Sequence, residues 1–526
     1  MSKKNIFLFI ICVCIGGGIS LWLGQDIGFD IRNYHLYIPY AFLHGREAVD
    51  LLAAGPVHTF FNPLPDIPYY LIFSYLNAWP KLTGFLLGGY YGLLLFALVK
   101  WTTQIMRENT AEVKWLRGMT VCFALTGLSA FLQVGHYSNE ILLALFAVLA
   151  SYLLFCGTDE RLRFRLKYLA GAAFLVSFAT GLKYTAAPAA IGVGVCCLFL
   201  LIKNKSSYKA YLGVLGAALV GFLLADGYFL WHKWQTLGNP LFPYFNHIFK
   251  SPFFPDKALP NSPYVPHGWK EWLFLPWLRI KSPNWDYLLD FRLILGTISF
   301  ILLGAGGVFY IKKQPLVKPY ILLLGLFIGT YIPWVILFGN MRYAVFLEIL
   351  SCLLFICLLR RFVPTKILCV LLIGLSIFSV MRPLPKWPRK KFAVKNITFS
   401  QPVFVQDDSL VVVGGHFSFL IPFLNPNARY IGGINFHSEK IPLSRMERRF
   451  LAPLQFLDYQ HNFPIREEIK NHQGNIYLLA PYLPWVWNND FWNDYGIDVS
   501  KKYCQVFRTN FLKYPLFLCV VKKAVQ

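Results

Sequence analysis

Long runs of apolar residues alternate with short polar segments over the first 381 residues of the chain. Runs of about 17 or more apolar residues are long enough to cross a hydrocarbon core about 30 Å thick as helices. Eleven such runs are predicted to be membrane spans: 6–23, 82–99, 118–134, 140–156, 168–182, 185–202, 210–229, 292–311, 319–338, 343–359 and 367–381. The predicted fold class is therefore an α-helical polytopic membrane protein with about 11 transmembrane helices.

The apolar stretch 66–79 differs from these runs, because Pro65, Pro68 and Pro80 stand in or beside it. As a twelfth span, it would move the basic segment 100–117 to the outer side of the membrane, against the charge distribution of the other loops. We therefore interpret 66–79 as a helix lying at the outer membrane surface. The pattern alone leaves a crossing open.

The polar remainder, residues 382–526, has the size of a separate domain. Runs of β-forming residues predict strands at Leu410–Val413, Asn475–Leu479, Cys504–Arg508 and Leu516–Val521. A helix is predicted around Ser444–Tyr459. We therefore predict a membrane domain over 1–381, with long outer loops at 24–81 and 230–291, and a C-terminal α/β or α+β domain.

The chain has 50 Lys and Arg against 26 Asp and Glu, a net charge of +24, although 56% of its residues are hydrophobic. Such apolar content excludes a disordered, nucleic-acid-binding tail. Threaded from a cytoplasmic N-terminus, the inner loops carry 19 basic and four acidic residues, whereas loops 24–81 and 230–291 carry −2 and +2. The positive-inside rule then predicts a multi-pass protein of the plasma (inner) membrane with an extracytoplasmic C-terminal domain.

Cysteine positions agree with this sidedness. Nine of the 11 cysteines fall in predicted spans, where a thiol acts as a small apolar group. The other two, Cys504 and Cys519, lie on neighbouring predicted strands of the outer domain, where an oxidising compartment favours a disulfide. No Cys-x-x-Cys or Cys/His metal spacing occurs, so no metal is indicated, although a divalent ion is compatible with the sequence.

Two carboxylates, Asp26 and Asp30, follow the first predicted span directly. A carboxylate at the mouth of a helical bundle is partly desolvated, which favours proton uptake and suits it to deprotonate an acceptor hydroxyl. The alternative is that an Asp after a membrane helix only caps the next helix. Because a shift of one helical turn exchanges the two, either residue is a candidate general base.

The first outer loop resembles that of the GT-C superfamily of polytopic glycosyltransferases. The resemblance lies in an Asp just past the first span, a Tyr four residues later and an Ala-x-x-x-Gly ending, matched by Asp30, Tyr34, Ala41 and Gly45. A Pro-Leu element beginning at Pro63 matches in part, since only one of the two prolines common there directly precedes the Leu. The resemblance implies an enzyme that takes a sugar from a polyprenyl phosphate and uses the loop's Asp as the general base.

A lipid-phosphate donor requires cationic side chains near the outer leaflet. Lys183 and Arg342 occupy short outer turns against the charge asymmetry, and an Arg can hold two phosphate oxygens at once. The alternative for both is snorkelling from a helix end. His136 and Arg32 are further candidates for binding the donor phosphate.

Five residues are candidates for binding the acceptor or the sugar: Tyr34, His58, Asn62, Asp66 and Glu140. Asn62 precedes a proline and Asp66 precedes a helix-forming stretch, so a turn and a cap are equally good interpretations. Glu140 begins a predicted span, where the helix dipole favours a carboxylate. The structural and the binding roles stay open for these three residues.

The predicted function is a membrane glycosyltransferase that moves a sugar, with inversion, from a polyprenyl-phosphate donor to a lipid-linked glycan or cell-envelope polysaccharide on the outer face. Its partners would be that donor, the glycan acceptor and membrane lipids, and not nucleic acid. One rival is an O-antigen polymerase or ligase, against which the Asp30 loop argues. The other is a non-enzymatic transporter or flippase, which would carry more charges inside its spans than Asp226 and Glu348.

Overall fold

The structure, a computed structural model, describes residues 2–159, 161–254, 256, 264–282, 288–310, 318–382, 387–432, 463–481, 492 and 495–523. The chain forms two compact units. The helical unit consists of Met1–Leu23, Gly84–Tyr228 and Asn261–Trp387, and the sheet unit consists of Gly24–Thr83, Phe229–Pro260 and Pro388–Gln526. The structure thus groups much of both long loops with the C-terminal sheet, while the predicted domain boundary after residue 381 stays a prediction.

Helices account for most of the described chain. They are α1 Lys3–Leu23, α2 Tyr37–Leu43, α3 Gly55–His58, α4 Ile67–Tyr75, α5 Pro80–Ile105, α6 Ala111–Leu125, α7 Leu128–Leu132, α8 Glu140–Cys156, α9 Leu166–Leu182, α10 Ala187–Lys203, α11 Tyr208–Leu237, α12 Asn246–Phe249, α13 Trp269–Arg279, α14 Phe291–Tyr310, α15 Lys318–Leu337, α16 Val345–Leu359, α17 Thr365–Met381 and α18 Phe463–Asn471.

Each predicted span lies on one or two of these helices. Helices α1, α5, α11, α15, and α10 with its preceding turn are long and apolar enough to cross a membrane, and α8, α9, α14, α16 and α17 are shorter apolar helices. The predicted fold class, a polytopic helical membrane protein, is confirmed. Helix α4, within the stretch 66–79, has nine residues and rises only about 14 Å, too little to cross a bilayer alone.

The predicted span 118–134 is broken, because α6 ends at Leu125 and α7 begins three residues later. A Cβ atom on Gly127 would lie 2.3 Å from a carboxylate oxygen of Glu348. That carboxylate accepts hydrogen bonds from the Ser129 amide and hydroxyl, at 3.0 and 2.7 Å. The Leu128 amide donates to a different carboxylate at 3.0 Å. Side-chain carboxylates therefore replace helical carbonyls as the partners of these amides.

The second carboxylate, Asp290, is the centre of a buried ion cluster at the start of α14. Arg292 and Arg382 donate to its two oxygens at 2.8 and 2.6 Å. Arg292 is fully buried and also donates to the Phe123 carbonyl near the end of α6. Since buried charges are tolerated only when they are paired and hydrogen-bonded, this cluster fixes α6, α14 and α17 against one another.

A mixed five-stranded sheet forms the core of the sheet unit. Its strands are β3 Leu410–Val413, β4 Arg429–Ile431, β5 Ile476–Pro481, β6 Ile497–Phe507 and β7 Leu516–Lys523. Their order is β4-β3-β5-β7-β6, with β4, β3 and β5 parallel and β7 antiparallel to both neighbours. Two short strands, β1 Gln25–Asp26 and β2 Arg389–Lys390, pair antiparallel.

The four predicted strands correspond to β3, β5, β6 and β7, with shifted ends, whereas β4 and α18 were not predicted. The helix expected around Ser444–Tyr459 lies outside the described residues. Cys504 on β6 and Cys519 on β7 are directly opposite each other and form a disulfide.

A buried ion pair fastens the first loop to the sheet within the sheet unit. Arg46 pairs with Asp50, four residues later, and donates to the carbonyls of Pro426 and Ala428. Asp50 in turn accepts from the backbone amide of Tyr430 at 3.0 Å. The two charged groups therefore bond to each other and to backbone groups nearly 400 residues away in sequence, in place of water.

We predict that Asp50→Asn destabilises the sheet unit by about 3 kcal/mol, because the buried Arg46 guanidinium loses its counter-charge. Thermal unfolding of the purified protein in detergent, followed by near-ultraviolet circular dichroism, would measure the loss. The matched control is Asp256→Asn, in the same unit, where an exposed carboxylate lies 3.9 Å from Lys250 and contributes little. Equal unfolding temperatures for the two variants would contradict the assigned role.

Candidate functional site

The eleven candidate residues fall into two groups, one in each unit. The first-loop group, in the sheet unit, contains Asp26, Asp30, Arg32, Tyr34, His58, Asn62 and Asp66. The turn group, in the helical unit, contains His136, Glu140, Lys183 and Arg342.

Asp30 lies where the first loop enters a five-residue π-helix, Ile31–His35, and it is 6% exposed. Tyr34, on this π-helix, stacks on the His58 ring at 4.7 Å with nearly parallel planes. The His58 imidazole also hydrogen-bonds the Asn33 amide at 3.4 Å. A π-helical turn is an uncommon conformation that often occurs at functional sites, and here it brings Tyr34 and His58 together beside the candidate base.

A buried histidine–carboxylate pair supports this group. It joins the candidate Asp66 to His35, which was not among the sequence-based candidates. His35 Nδ1 lies 2.7 Å from the Asp66 carboxylate, and the two side chains are 1% and 3% exposed. Asp66 also stands at the start of α4, where the cap interpretation placed it, but it makes no side-chain cap hydrogen bond there. Its carboxylate therefore holds His35 and ties the π-helix to α4.

Three other members of the first-loop group have local structural partners. Asp26 accepts a hydrogen bond from the Gly28 amide at 2.7 Å, and Asn62 accepts one from the Leu64 amide at 2.9 Å. Both contacts are Asx turns, as the turn interpretation of Asn62 expected. Arg32 donates to the Gly28 carbonyl at 3.3 Å, and its positive charge acts on the nearby Tyr514 hydroxyl.

In the turn group, Lys183 and Glu140 form an ion pair of 2.7 Å, with side chains 16% and 2% exposed. The Lys183 ammonium also lies 5.9 Å from the centre of the Tyr343 ring. Burial and the charge of Arg342 lower the pKa of this ammonium, but the Glu140 carboxylate more than offsets them and raises it above its ordinary value. Lys183 is therefore a permanent cation at neutral pH.

Arg342 and His136 meet at a shared aromatic ring. The Arg342 guanidinium lies 5.3 Å from the centre of the Trp387 ring, and the His136 ring meets the same ring edge-on at 4.5 Å. The structure thus brings three of the four predicted phosphate-binding residues into one group, with Arg32 in the other unit.

Gln133 connects the two turns that carry these side chains. Its amide group donates to the Arg342 carbonyl at 3.0 Å and accepts from the Ser138 hydroxyl at 2.7 Å. The Ser138 amide in turn contacts His136 Nδ1 at 2.9 Å. No sequence pattern marked Gln133, because its partners lie in a distant turn.

A small, mainly apolar cavity adjoins the turn group. Glu140 and Tyr343 line it, as do Thr185 and Thr330, whose buried hydroxyls have no hydrogen-bond partner. Its other walls are apolar side chains of α8, α10, α15 and α16 with the turns before them. The cavity therefore presents an apolar surface whose polar rim, Glu140 and Tyr343, contacts Lys183.

Metal-binding clusters of three or more His, Cys, Asp or Glu residues are absent from the described parts of the chain.

The fold matches that of ArnT from Cupriavidus metallidurans, which is a GT-C glycosyltransferase. The crystal structure of ArnT bound to undecaprenyl phosphate aligns with a TM-score of 0.53 at 11% identity, over 99% of this chain and 98% of that one. The apo structure of ArnT aligns with a TM-score of 0.50 at 11% identity, over 98% and 97%. No protein-family model and no curated protein sequence matches the chain. The predicted likeness to the GT-C fold is confirmed.

We predict that Glu140→Gln lowers the Lys183 pKa, since the largest contribution that raises it is removed while burial and Arg342 continue to lower it. Isotope-labelled reductive methylation with NMR detection would follow the titration, and Lys183→Arg would assign the signal. In the unaltered protein, the pair stabilises the fold fully below the unfolded lysine pKa of about 10.4, and this contribution disappears as pH rises through the folded pKa.

Glu108→Gln is the matched control, because its exposed carboxylate pairs with Arg360. It should leave the Lys183 titration unchanged. The same Lys183 pKa in both variants would show that Glu140 does not set it.

Proposed function

We propose that this chain is a membrane glycosyltransferase that moves a sugar from a polyprenyl-phosphate donor to a lipid-linked glycan or cell-envelope polysaccharide. The fold shared with ArnT over nearly the whole chain supports the GT-C class, and the bound undecaprenyl phosphate in one ArnT structure supports a lipid-phosphate donor. The single observation that carries the proposal is the convergence of Lys183, Arg342 and His136 beside the apolar cavity.

In the donor site, the isoprenoid chain occupies the apolar cavity and the phosphate contacts the turn group. Arg342 supplies a planar fork that can hold two phosphate oxygens, whereas Lys183 supplies a point charge. Glu140 was expected to bind the acceptor, but its ion pair with Lys183 supports a role in orienting that cation instead. These positive charges stabilise the negative charge that develops on the leaving phosphate.

Asp30 acts as the general base. An acceptor hydroxyl oxygen attacks the anomeric carbon, its proton passes to the Asp30 carboxylate, and the bond from the anomeric carbon to the phosphate oxygen breaks. The phosphate leaves with the electron pair, and the anomeric configuration inverts. Asp26 is the weaker candidate, because its carboxylate closes a turn onto Gly28. Tyr34 and His58 present ring surfaces and polar edges to the acceptor, while Asn62 and Asp66 shape the loop.

The reaction takes place on the outer face of the plasma (inner) membrane. The N-terminus is then cytoplasmic and the C-terminal sheet extracytoplasmic, an orientation that the distribution of basic residues among the loops supports. The Cys504–Cys519 disulfide suits that oxidising side.

We predict that Asp30→Asn removes the glycan product while Asp26→Asn retains most of it. The amide keeps the shape of the side chain but cannot accept the proton, a loss of about 10²–10⁴-fold in rate. Mass spectrometry of envelope glycans from cells carrying each variant would measure the product, with immunoblots of membranes to confirm insertion. A normal glycan profile with Asp30→Asn would refute the assignment of the base.

We also predict that Arg342→Lys lowers kcat about tenfold or more, because a point charge replaces a two-pronged contact with the phosphate. Transfer from membrane-extracted polyprenyl-phosphate sugars by purified protein would give kcat and the donor KM. Arg361→Lys is the matched control, since this Arg stacks on Tyr320 at the end of α16 that is predicted to be cytoplasmic. Equal kcat values in the two variants would exclude a phosphate contact at Arg342.

A further inference from the structure

The sheet of the sheet unit changes direction at β3. The chain runs from β3 to β4 on one side, and β5 then lies parallel on the other side of β3. In open sheets with parallel strands, ligands bind in the crevice beyond the carboxyl ends of the strands at such a switch point. The residues that follow β3 at this edge are Gly414, Gly415 and His416.

The turn after β3 exposes His416 and buries the residues that follow it. Gly415 has φ of +118°, a conformation that residues with a Cβ rarely adopt, and it ends the strand abruptly. His416 is half-buried, whereas Phe417 and Ser418 are 5% and 0% exposed. Phe417 and Ser418 are therefore part of the core, whereas the His416 imidazole is partly accessible from outside.

Phe29, in the first loop, meets His416 at this edge. The Phe29 ring packs edge-on against His416, with centroids 4.4 Å apart, and lies 6.1 Å from the His58 ring. Burial raises the pKa of the Tyr514 hydroxyl while the nearby positive charge of Arg32 lowers it, so the two side chains are neighbours, and Tyr514 is 42% exposed. Partly open rings and polar nitrogens from three distant parts of the sequence therefore surround Phe29, the residue that precedes Asp30 in the first loop, all within the sheet unit.

We propose that His416 and Tyr514, together with Phe29 and Arg32, form a subsite that binds a sugar ring of the acceptor glycan. A sugar ring has an apolar face that packs on aromatic rings and a rim of hydroxyl groups that bond to imidazole, phenol and guanidinium groups. The subsite gives the C-terminal sheet a part in acceptor recognition. It rests on the proposed function, because it places an acceptor hydroxyl next to Asp30.

The test uses the full-length protein in detergent, and the probe is the envelope glycan fraction from cells that lack this chain. Saturation-transfer NMR titrations give the glycan Kd, and transfer assays give kcat and the KM values of acceptor and donor. The variants are His416→Ala and Tyr514→Phe, which keeps the ring but removes the hydroxyl. Tyr503→Ala is the matched control, since this ring on β6 of the same unit is 87% exposed.

We expect His416→Ala to raise both the glycan Kd and the acceptor KM about tenfold, as the loss of one hydrogen bond and one ring contact implies. Tyr514→Phe should raise them about threefold. The donor KM and kcat at saturating acceptor should stay unchanged, which a merely structural defect would not allow. The Tyr503→Ala control should match the unaltered protein in every value.

Unchanged glycan Kd values in both variants, or no glycan binding by the unaltered protein, would overturn the subsite. If His416→Ala does not fold, Tyr514→Phe decides alone, because its ring packing is retained. Glycan binding that weakens in the variants, without any transfer by the unaltered protein, would refute the transferase and leave the subsite standing. Transfer by the unaltered protein, with an acceptor KM that is unchanged in both variants, would support the transferase and refute the subsite.

Discussion

Two buried carboxylates, Glu348 and Asp290, determine the shape of the helical unit by taking over backbone amides that a continuous helix would have used. The amides of Leu128 and Ser129 donate to them, so the helix stops and restarts as α7. The restart directs the chain into the turn that carries His136 and ends at Glu140. The Ser129 hydroxyl oxygen also lies 2.6 Å from the Met341 carbonyl oxygen, beside Arg342. One break in a helix thus positions two of the three turns that carry the turn group.

The sheet unit depends on a similar exchange, with a cation as well as a carboxylate. Arg46 and Asp50 satisfy carbonyls and an amide of the segment that enters β4, and a parallel bridge joins Leu51 to Ile431 beside them. Because the first loop is held to the sheet at this point, its π-helix can rest against the turn after β3. The contact of Arg46 and Asp50 with the sheet therefore positions Asp30, Tyr34 and His416, although none of these three residues takes part in it.

Much of the architecture could be predicted from local sequence, and the remainder depends on partners that are distant in sequence. Apolar runs marked the spans and β-forming runs marked four strands, because burial in lipid or in a sheet favours residues of one kind over a continuous stretch of the sequence. Lys183 and Arg342 stood out because they break the charge asymmetry. The break at Gly127 could not be predicted, since its cause is Glu348, more than 200 residues later. Gln133 and His35 were missed for the same reason.

The charge balance of the turn group suits the proposed reaction in a way that single residues do not show. A sugar linked through a phosphodiester carries one negative charge, and the phosphate that leaves carries more. Glu140 neutralises about one of the two permanent cations, Lys183 and Arg342, so the group has a net charge close to +1 before the reaction. The net charge of the turn group is then about equal and opposite to the charge of the donor, so the group attracts the donor without binding it too tightly. As the bond to the sugar breaks, the added negative charge can draw Lys183 from Glu140, so that stabilisation grows toward the transition state.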